Sequence, residues 1–391
     1  PLRAEFGWSK GTVSSAVTLF LLVTAISGSL IGGIVDRYGP SPTLLLGSLC
    51  MGLGFVILSG VHELWQLYAV YVLIAIGFSA THSVPISTLI SNWFIKKRGI
   101  AMSVAMTGLS LGGVIVVPVA SYLLHLLGLR GALPFFGIAI CVVIVPIALF
   151  LVKKSPSVMG LFPDNAPPRH NDGQQTKARP AMSSQMTIWT RRQAMGTKAF
   201  WSIVLAFFLV LSGQVTFMIH VVSFLSPTLG PAAAATAVSI MTGTSFCGRL
   251  LVGSFVDRVD KRVIAIVCFL IQGGALFTIA QSSPVVTTYL CVIAFGLTMG
   301  NIIMLQSLFI GECFGMVSFG RISGLVMLFT SSGSAFGPMI AGILFDVTRS
   351  YKAGFTFFAL TYAIACGLVL YARPSPQKVA SHTPSPKRRA T

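Results

Sequence analysis

The chain has 391 residues, of which 54% are hydrophobic and only 9% charged, whereas a water-soluble domain carries about 25% charged residues. So little charge cannot cover a water-facing surface, which excludes a soluble globular fold and implies a membrane protein. Lysine and arginine number 27 against nine acidic residues, a formal charge of +18. The basic residues fall in short clusters between apolar runs, the pattern of membrane loops and not of a nucleic-acid-binding face.

Stretches near the length of about 20 apolar residues that crosses a bilayer core recur eleven times: 12–35, 43–60, 65–91, 99–126, 132–152, 199–224, 232–256, 263–281, 285–311, 320–345 and 353–372. Glycine and proline inside them do not oppose helix, because membrane helices pack closely on small residues and neighbours satisfy freed backbone groups. Of the 27 basic residues, 22 fall to one face, counting Arg249 inside a span, and Arg3, Lys10, Arg130, Arg349 and Lys352 to the other. The basic face is therefore expected to be cytoplasmic. This puts residues 1–11 outside and the C-terminus inside, a parity that leads us to expect one further helix upstream of Pro1.

Residues 153–198 form the one long polar connection, with Pro156, Pro163, Pro167, Pro168 and Pro180, and read as a flexible cytoplasmic linker. Met186–Lys198 is a candidate interfacial helix. The expected organisation is an N-terminal half at 1–152, the linker at 153–198, a C-terminal half at 199–372 and a disordered basic tail at 373–391. Seven cysteines (Cys50, Cys141, Cys247, Cys268, Cys291, Cys313 and Cys366) show neither disulfide nor metal spacing. No metal and no cofactor is implied.

The two halves repeat. Gly32-Gly33-Ile34-Val35-Asp36-Arg37 recurs as Gly253-Ser254-Phe255-Val256-Asp257-Arg258, 221 residues on. Arg98 and Arg321 pair at an offset of 223, and Arg130 and Lys352 at 222. Such repeats are a signature of secondary transporters. Each Asp-Arg pair lies at the cytoplasmic end of a helix, where a carboxylate can accept hydrogen bonds from a neighbouring helix N-terminus or pair with an arginine. Asp36, Arg37, Asp257 and Arg258 are therefore candidates for a conformational latch between the halves; ordinary loop charge is the alternative.

Gly32–Gly39 and Gly253–Arg262 resemble the loop motif of the major facilitator superfamily, although Pro40, Ser41 and Pro42 replace the usual basic residues after the first copy, and Asp260 stands at a glycine position in the second. Phe6-Gly7-Trp8-Ser9, Trp93–Ala101, His220-Val221-Val222 and Gly248-Arg249-Leu250-Leu251 resemble its monocarboxylate and oxalate/formate branch. The resemblance implies an all-α membrane fold of two pseudo-symmetric six-helix halves and a carrier working by alternating access.

Arg249 lies eight residues before Asp257, about 12 Å along a helix at 1.5 Å per residue, and so near the middle of a core about 30 Å thick. A cation so deep costs several kcal/mol unless paired or wet, which makes it a candidate counter-ion for a substrate anion; a structural arginine held by carbonyls is the alternative. In the family such an arginine binds substrate carboxylate. Oxalate-handling relatives add a basic residue where Thr330 stands here, which favours a monocarboxylate, and monocarboxylate carriers often place an acid where Ser245 stands. His82 and His220 could bind substrate or carry a proton, and Asn301 could bond a substrate oxygen or another helix. The expected protein is a monomeric, multi-pass carrier of the cell membrane, moving a small organic anion by proton symport or anion exchange. A carrier of another amphiphilic solute, with Arg249 structural, is the alternative. Neither a channel's ring of like charges nor an enzyme's catalytic constellation nor a receptor's signalling domain is visible.

Overall fold

The computed structural model describes residues 10–165, 189–281 and 284–373. The Phe6–Ser9 motif and the basic tail beyond 373 lie outside them. The described residues form α1 (Lys10–Tyr38), α2 (Pro40–Leu58), α3 (Leu64–Thr81), α4 (Ser83–Trp93), α5 (Arg98–Pro146), α6 (Arg191–Met195), α7 (Lys198–Leu229), α8 (Pro231–Phe255), α9 (Lys261–Ala280), α10 (Val285–Met299), α11 (Ile302–Phe314), α12 (Phe319–Thr348) and α13 (Tyr351–Val369). No strand occurs among them.

Two of the spans are broken rods. α3 and α4 meet at His82, whose φ of −91° and ψ of −139° leave the helix; α10 and α11 meet at Gly300 and Asn301. α5 holds two spans divided at Gly128, with φ 64° and ψ 179°, a conformation open essentially to glycine alone. The described residues thus contain eleven membrane-length rods at the eleven expected places. Nine stretches qualify as membrane-crossing by length and apolarity alone. The others are α8 and the part of α5 before Gly128, both rich in glycine, serine and threonine.

α1 to α5 pack together, as do α7 to α13, and the two groups meet along two seams, α1 against α12 and α5 against α8. The seams obey the repeat. A β-carbon on Gly32 would collide with the carbonyl of Gly320, and one on Gly253 with the side chain of Ser103, so glycine at these matched positions sets how closely the helices approach. Gly32→Ala is expected to wedge α1 from α12, read as faster thiol labelling of a cysteine placed at Val317 beside that seam; unchanged labelling would mean the seam absorbs a methyl group.

The polar connection is less free than its composition suggests. Trp93 Nε1 donates to the Lys153 carbonyl and Asn92 Nδ2 to that of Lys154, each at 3.0 Å. The Asp164 carboxylate accepts the backbone N–H groups of Lys96 at 2.7 Å, Ile95 at 3.0 Å and Lys97 at 3.4 Å. At the other end Trp189 is buried edge-on against Phe314, its N–H donates to Ser318 Oγ at 3.1 Å, and α6 begins with a Thr190–Gln193 capping box. The flexible linker expected at 153–198 is therefore corrected at both ends, which these bonds tie down; residues 166–188 lie outside the described residues.

Partial burial raises the Asp164 pKa, but the three N–H donors and the Lys96 charge outweigh it and hold the carboxyl below its usual range. A depressed carboxylate contributes above its unfolded pKa and is lost as pH falls through its folded one. Hydrogen exchange at Ile95, Lys96 and Lys97, corrected for intrinsic rates, should show protection that persists through the ordinary carboxylate range and is lost only below it. Asp164→Ala should abolish it at every pH.

Candidate functional site

α8 carries Arg249 into the α5–α8 seam, where its side chain is buried. Nε donates to the Gly300 carbonyl at 2.8 Å and Nη1 to the Met106 carbonyl at 2.7 Å. Gly300 belongs to its own half, at the break between α10 and α11, and Met106 to the other half, on α5. The guanidinium therefore clasps the two halves together. A β-carbon on Gly300 would lie 2.7 Å from Arg249 Nε and 2.5 Å from Ser245 Oγ, so only glycine lets the arginine lie flat on the break. The Ser245 hydroxyl, one turn before Arg249, is buried with no hydrogen-bond partner, and so is the Asn301 side-chain oxygen, whose amide donates to the Leu297 carbonyl at 3.0 Å. Buried polar atoms normally find partners; of these two, the Ser245 hydroxyl lies beside the cation at Gly300.

His82 lies at the break between α3 and α4, its ring stacked on Phe78 at 4.5 Å. It lines a cavity of about 30 Å³ with Thr24 and Gly28 of α1, Ser79 of α3, and Met327 and Ser331 of α12. Thr24 Oγ1 is buried there without a partner. His220 stands elsewhere: Nε2 is 3.3 Å from the Pro338 carbonyl and its ring packs on Tyr351 at 5.3 Å, within the second group of helices. Thr330 accepts from the Gln306 amide at 3.1 Å, both buried.

The two motif aspartates act at the basic end of the bundle. Asp36 accepts the N–H groups of Gly320 and Arg321, each at 2.8 Å. Asp257 accepts that of Gly99, at 2.8 and 3.0 Å from its two oxygens, and that of Ile100 at 3.2 Å. Each aspartate sits on one half and caps a helix of the other, and every participant recurs 221 residues on. This corrects the register of the repeat: Arg321 matches Ile100 and not Arg98. Arg37 and Arg258 are exposed; Arg37 stacks on Tyr38 at 5.2 Å, and its carbonyl accepts from Lys154 Nζ at 3.0 Å. At this end Arg98 also reaches across the halves: its Nη1 lies 2.8 Å from Met316 Sδ and its Nη2 lies 3.5 Å from the Leu308 carbonyl. The sequence marked Arg98 as a landmark of the repeat but not as a contact between the halves.

Carboxylates capping helices across a repeat-built interface, with one clasping arginine at depth, describe a carrier. The chain is 26% identical over 379 residues to the oxalate:formate antiporter of Oxalobacter formigenes, covering 96% of this chain and 85% of that protein. It is 25% identical over 374 residues to monocarboxylate transporter 12 of Rattus norvegicus, covering 90% and 75%. The fold superposes on a crystal structure of the E.coli fucose:proton symporter FucP with a TM-score of 0.71 at 13% identity, over 94% of this chain and 92% of that one. The Major Facilitator Superfamily profile matches residues 1–318 and, overlapping, 222–390: the chain is a multi-pass membrane protein that belongs to the Major Facilitator Superfamily of transporters.

Proposed function

We propose that the protein carries a small organic anion, a monocarboxylate before others, across the cell membrane by alternating access, with the basic end cytoplasmic. The observation that carries this is the Arg249 clasp: a guanidinium whose described bonds run to two neutral carbonyls, one in each half, beside the unpartnered Ser245 hydroxyl. A carboxylate binds a guanidinium more strongly than a carbonyl does, because the bond is charge-assisted and two-pronged. An arriving anion would draw Nη1 from Met106 and so release one inter-half contact, which couples binding to movement of the halves. The names of the oxalate:formate and monocarboxylate relatives agree with a carboxylate cargo. Neither the Gln306–Thr330 pair nor Ser245 adds a second charge, which suits one carboxylate.

Asp36 and Asp257, with Arg37 and Arg258 beside them, then act as the latch that holds the cytoplasmic end closed while the opposite end loads. The protein works as a monomer of two halves, the parts before and after the 153–198 connection, and couples to a proton or to a counter-anion. A specific observation favours a second reading: both described bonds of Arg249 go to backbone carbonyls, as a structural arginine's would, and the cargo is then another amphiphilic solute. Uptake of labelled formate, acetate and butyrate into proteoliposomes tests the proposal. Saturable uptake, driven by an inward proton gradient or by internal carboxylate, is expected; uptake no greater than in protein-free vesicles would remove the carboxylate assignment.

A further inference from the structure

The two ends of the 153–198 connection differ in what they hold. The described hydrogen bonds from residues 153–165 to the bundle all run to the first half: to Trp93, Asn92, the N–H groups of Ile95, Lys96 and Lys97, and the Arg37 carbonyl. The other end is anchored to the second half. Trp189 donates its N–H to Ser318 Oγ and sets its ring against Phe314, and α6 packs on α12 and α7. One side chain crosses over: Arg191 Nη2 donates to the Ser29 carbonyl on α1, in the first half. Ser29 is buried and precedes Asp36 by seven residues, about 10 Å along the helix at 1.5 Å per residue. Because α12 packs on α1, the arm spans the α1–α12 seam well below the aspartate cap. At the 221-residue offset Ser29 corresponds to Leu250, which is exposed, so the repeat does not supply this contact twice. The guanidinium that crosses the α5–α8 seam is Arg249 of α8, whereas the one that crosses α1–α12 comes from the connection.

We infer that Arg191 makes the end of the connection a strap across the α1–α12 seam, which holds the basic end closed and must withdraw before the halves part there. The inference rests on the alternating-access part of the proposed function and not on its carboxylate cargo. The base of the arm moves with the second half, because Trp189 is buried there and α6 runs into α7 within three residues. The tip is suited to release. Asp36 fills both carboxylate oxygens across the same seam, but Arg191 Nε is buried with no hydrogen-bond partner, and a buried donor left unpaired is costly. A guanidinium that withdraws to water regains that bond, so the strap adds less to the closed state than an aspartate cap does.

The test reads opening on the other seam, where loss of the arm cannot uncover anything locally. Ser103 is buried there against Gly253 of α8, so a cysteine at 103 meets a water-soluble maleimide only when the halves separate. Labelling of Ser103→Cys, followed at that residue by peptide mass spectrometry, should be about tenfold faster with Arg191→Ala, the size of one charge-assisted hydrogen bond. With Arg192→Ala, whose side chain is exposed, the rate should stay within about twofold of the parent. Arg191→Met keeps the reach of the arm, removes its donors and should match Arg191→Ala; it decides if the alanine variant does not fold. An unchanged rate in both Arg191 variants, or an equal rise with Arg192→Ala, would overturn the strap. Failure of both to fold would overturn it too, making the arm part of the fold. No labelling at residue 103 even with Asp36→Asn and Asp257→Asn combined would mean that the basic end does not open, and would remove the alternating-access reading with it.

Discussion

Replacing Asp36 and Asp257 together by asparagine is expected to open the basic end of the bundle. Each carboxylate accepts two backbone N–H groups at a helix start in the opposite half. There the helix dipole adds to charge-assisted hydrogen bonding. Asparagine keeps the size and one acceptor oxygen but loses the charge and the second oxygen. Hydrogen bonds to charged groups are worth about 1.5–3 kcal/mol each, so losing one per site destabilises the closed state by about 3–6 kcal/mol for the pair before any relaxation. That is about a hundredfold or more in the closed-to-open ratio. Spin labels at Tyr38 and Val317, both exposed beside the α1–α12 seam, should report one short distance in the parent and a dominant longer one in the double variant. Each single variant should fall between, because the other cap still holds. A distance distribution that does not change in the double variant would reduce both aspartates to ordinary helix caps.

Arg249→Ala is expected to remove carboxylate transport without unfolding the protein. Among its described partners the guanidinium leaves behind two carbonyls, Gly300 and Met106. Carbonyls at a helix break and on an inter-half seam can regain water when the halves separate, so the folded state survives. Substrate has no such substitute. Truncating one partner of a buried charge pair costs about 2–5 kcal/mol, which is about thirtyfold to several thousandfold in affinity. Arg249→Lys should recover little, since a point-charge ammonium cannot hold Gly300 in its plane and still present a fork to a carboxylate.

The spans were legible because bilayer thickness imposes a run length that composition exposes, and the repeat was legible because Asp36-Arg37 and Asp257-Arg258 are rare charged pairs among apolar helices. The partners of those aspartates were not, since backbone N–H groups at Gly99, Ile100, Gly320 and Arg321 are available on any residue type. The same holds for the Met106 and Gly300 carbonyls that seat Arg249. Arg98 was marked as a repeat landmark, but its contacts with Met316 and the Leu308 carbonyl depend on where the other half packs. The cavity had a signal that went unused: at the corrected offset Gly28 falls on Arg249 and Thr24 on Ser245, which marks a matched position that has lost its side chain. His82 and Asn301 carried no mark of the helix breaks they occupy, because a break in a buried span depends on neighbours that satisfy the freed backbone.

The most direct test of the carboxylate site is uptake of labelled butyrate by Arg249→Ala and Arg249→Lys in proteoliposomes, with thermal stability measured on the same preparations. Loss of at least about thirtyfold in kcat/KM in Arg249→Ala, with a melting temperature within a few degrees of the parent and little recovery in Arg249→Lys, is the expected result. Parent-level uptake in Arg249→Ala, or a collapse of folding in both variants with no separate transport defect, would contradict it and make Arg249 a structural clasp.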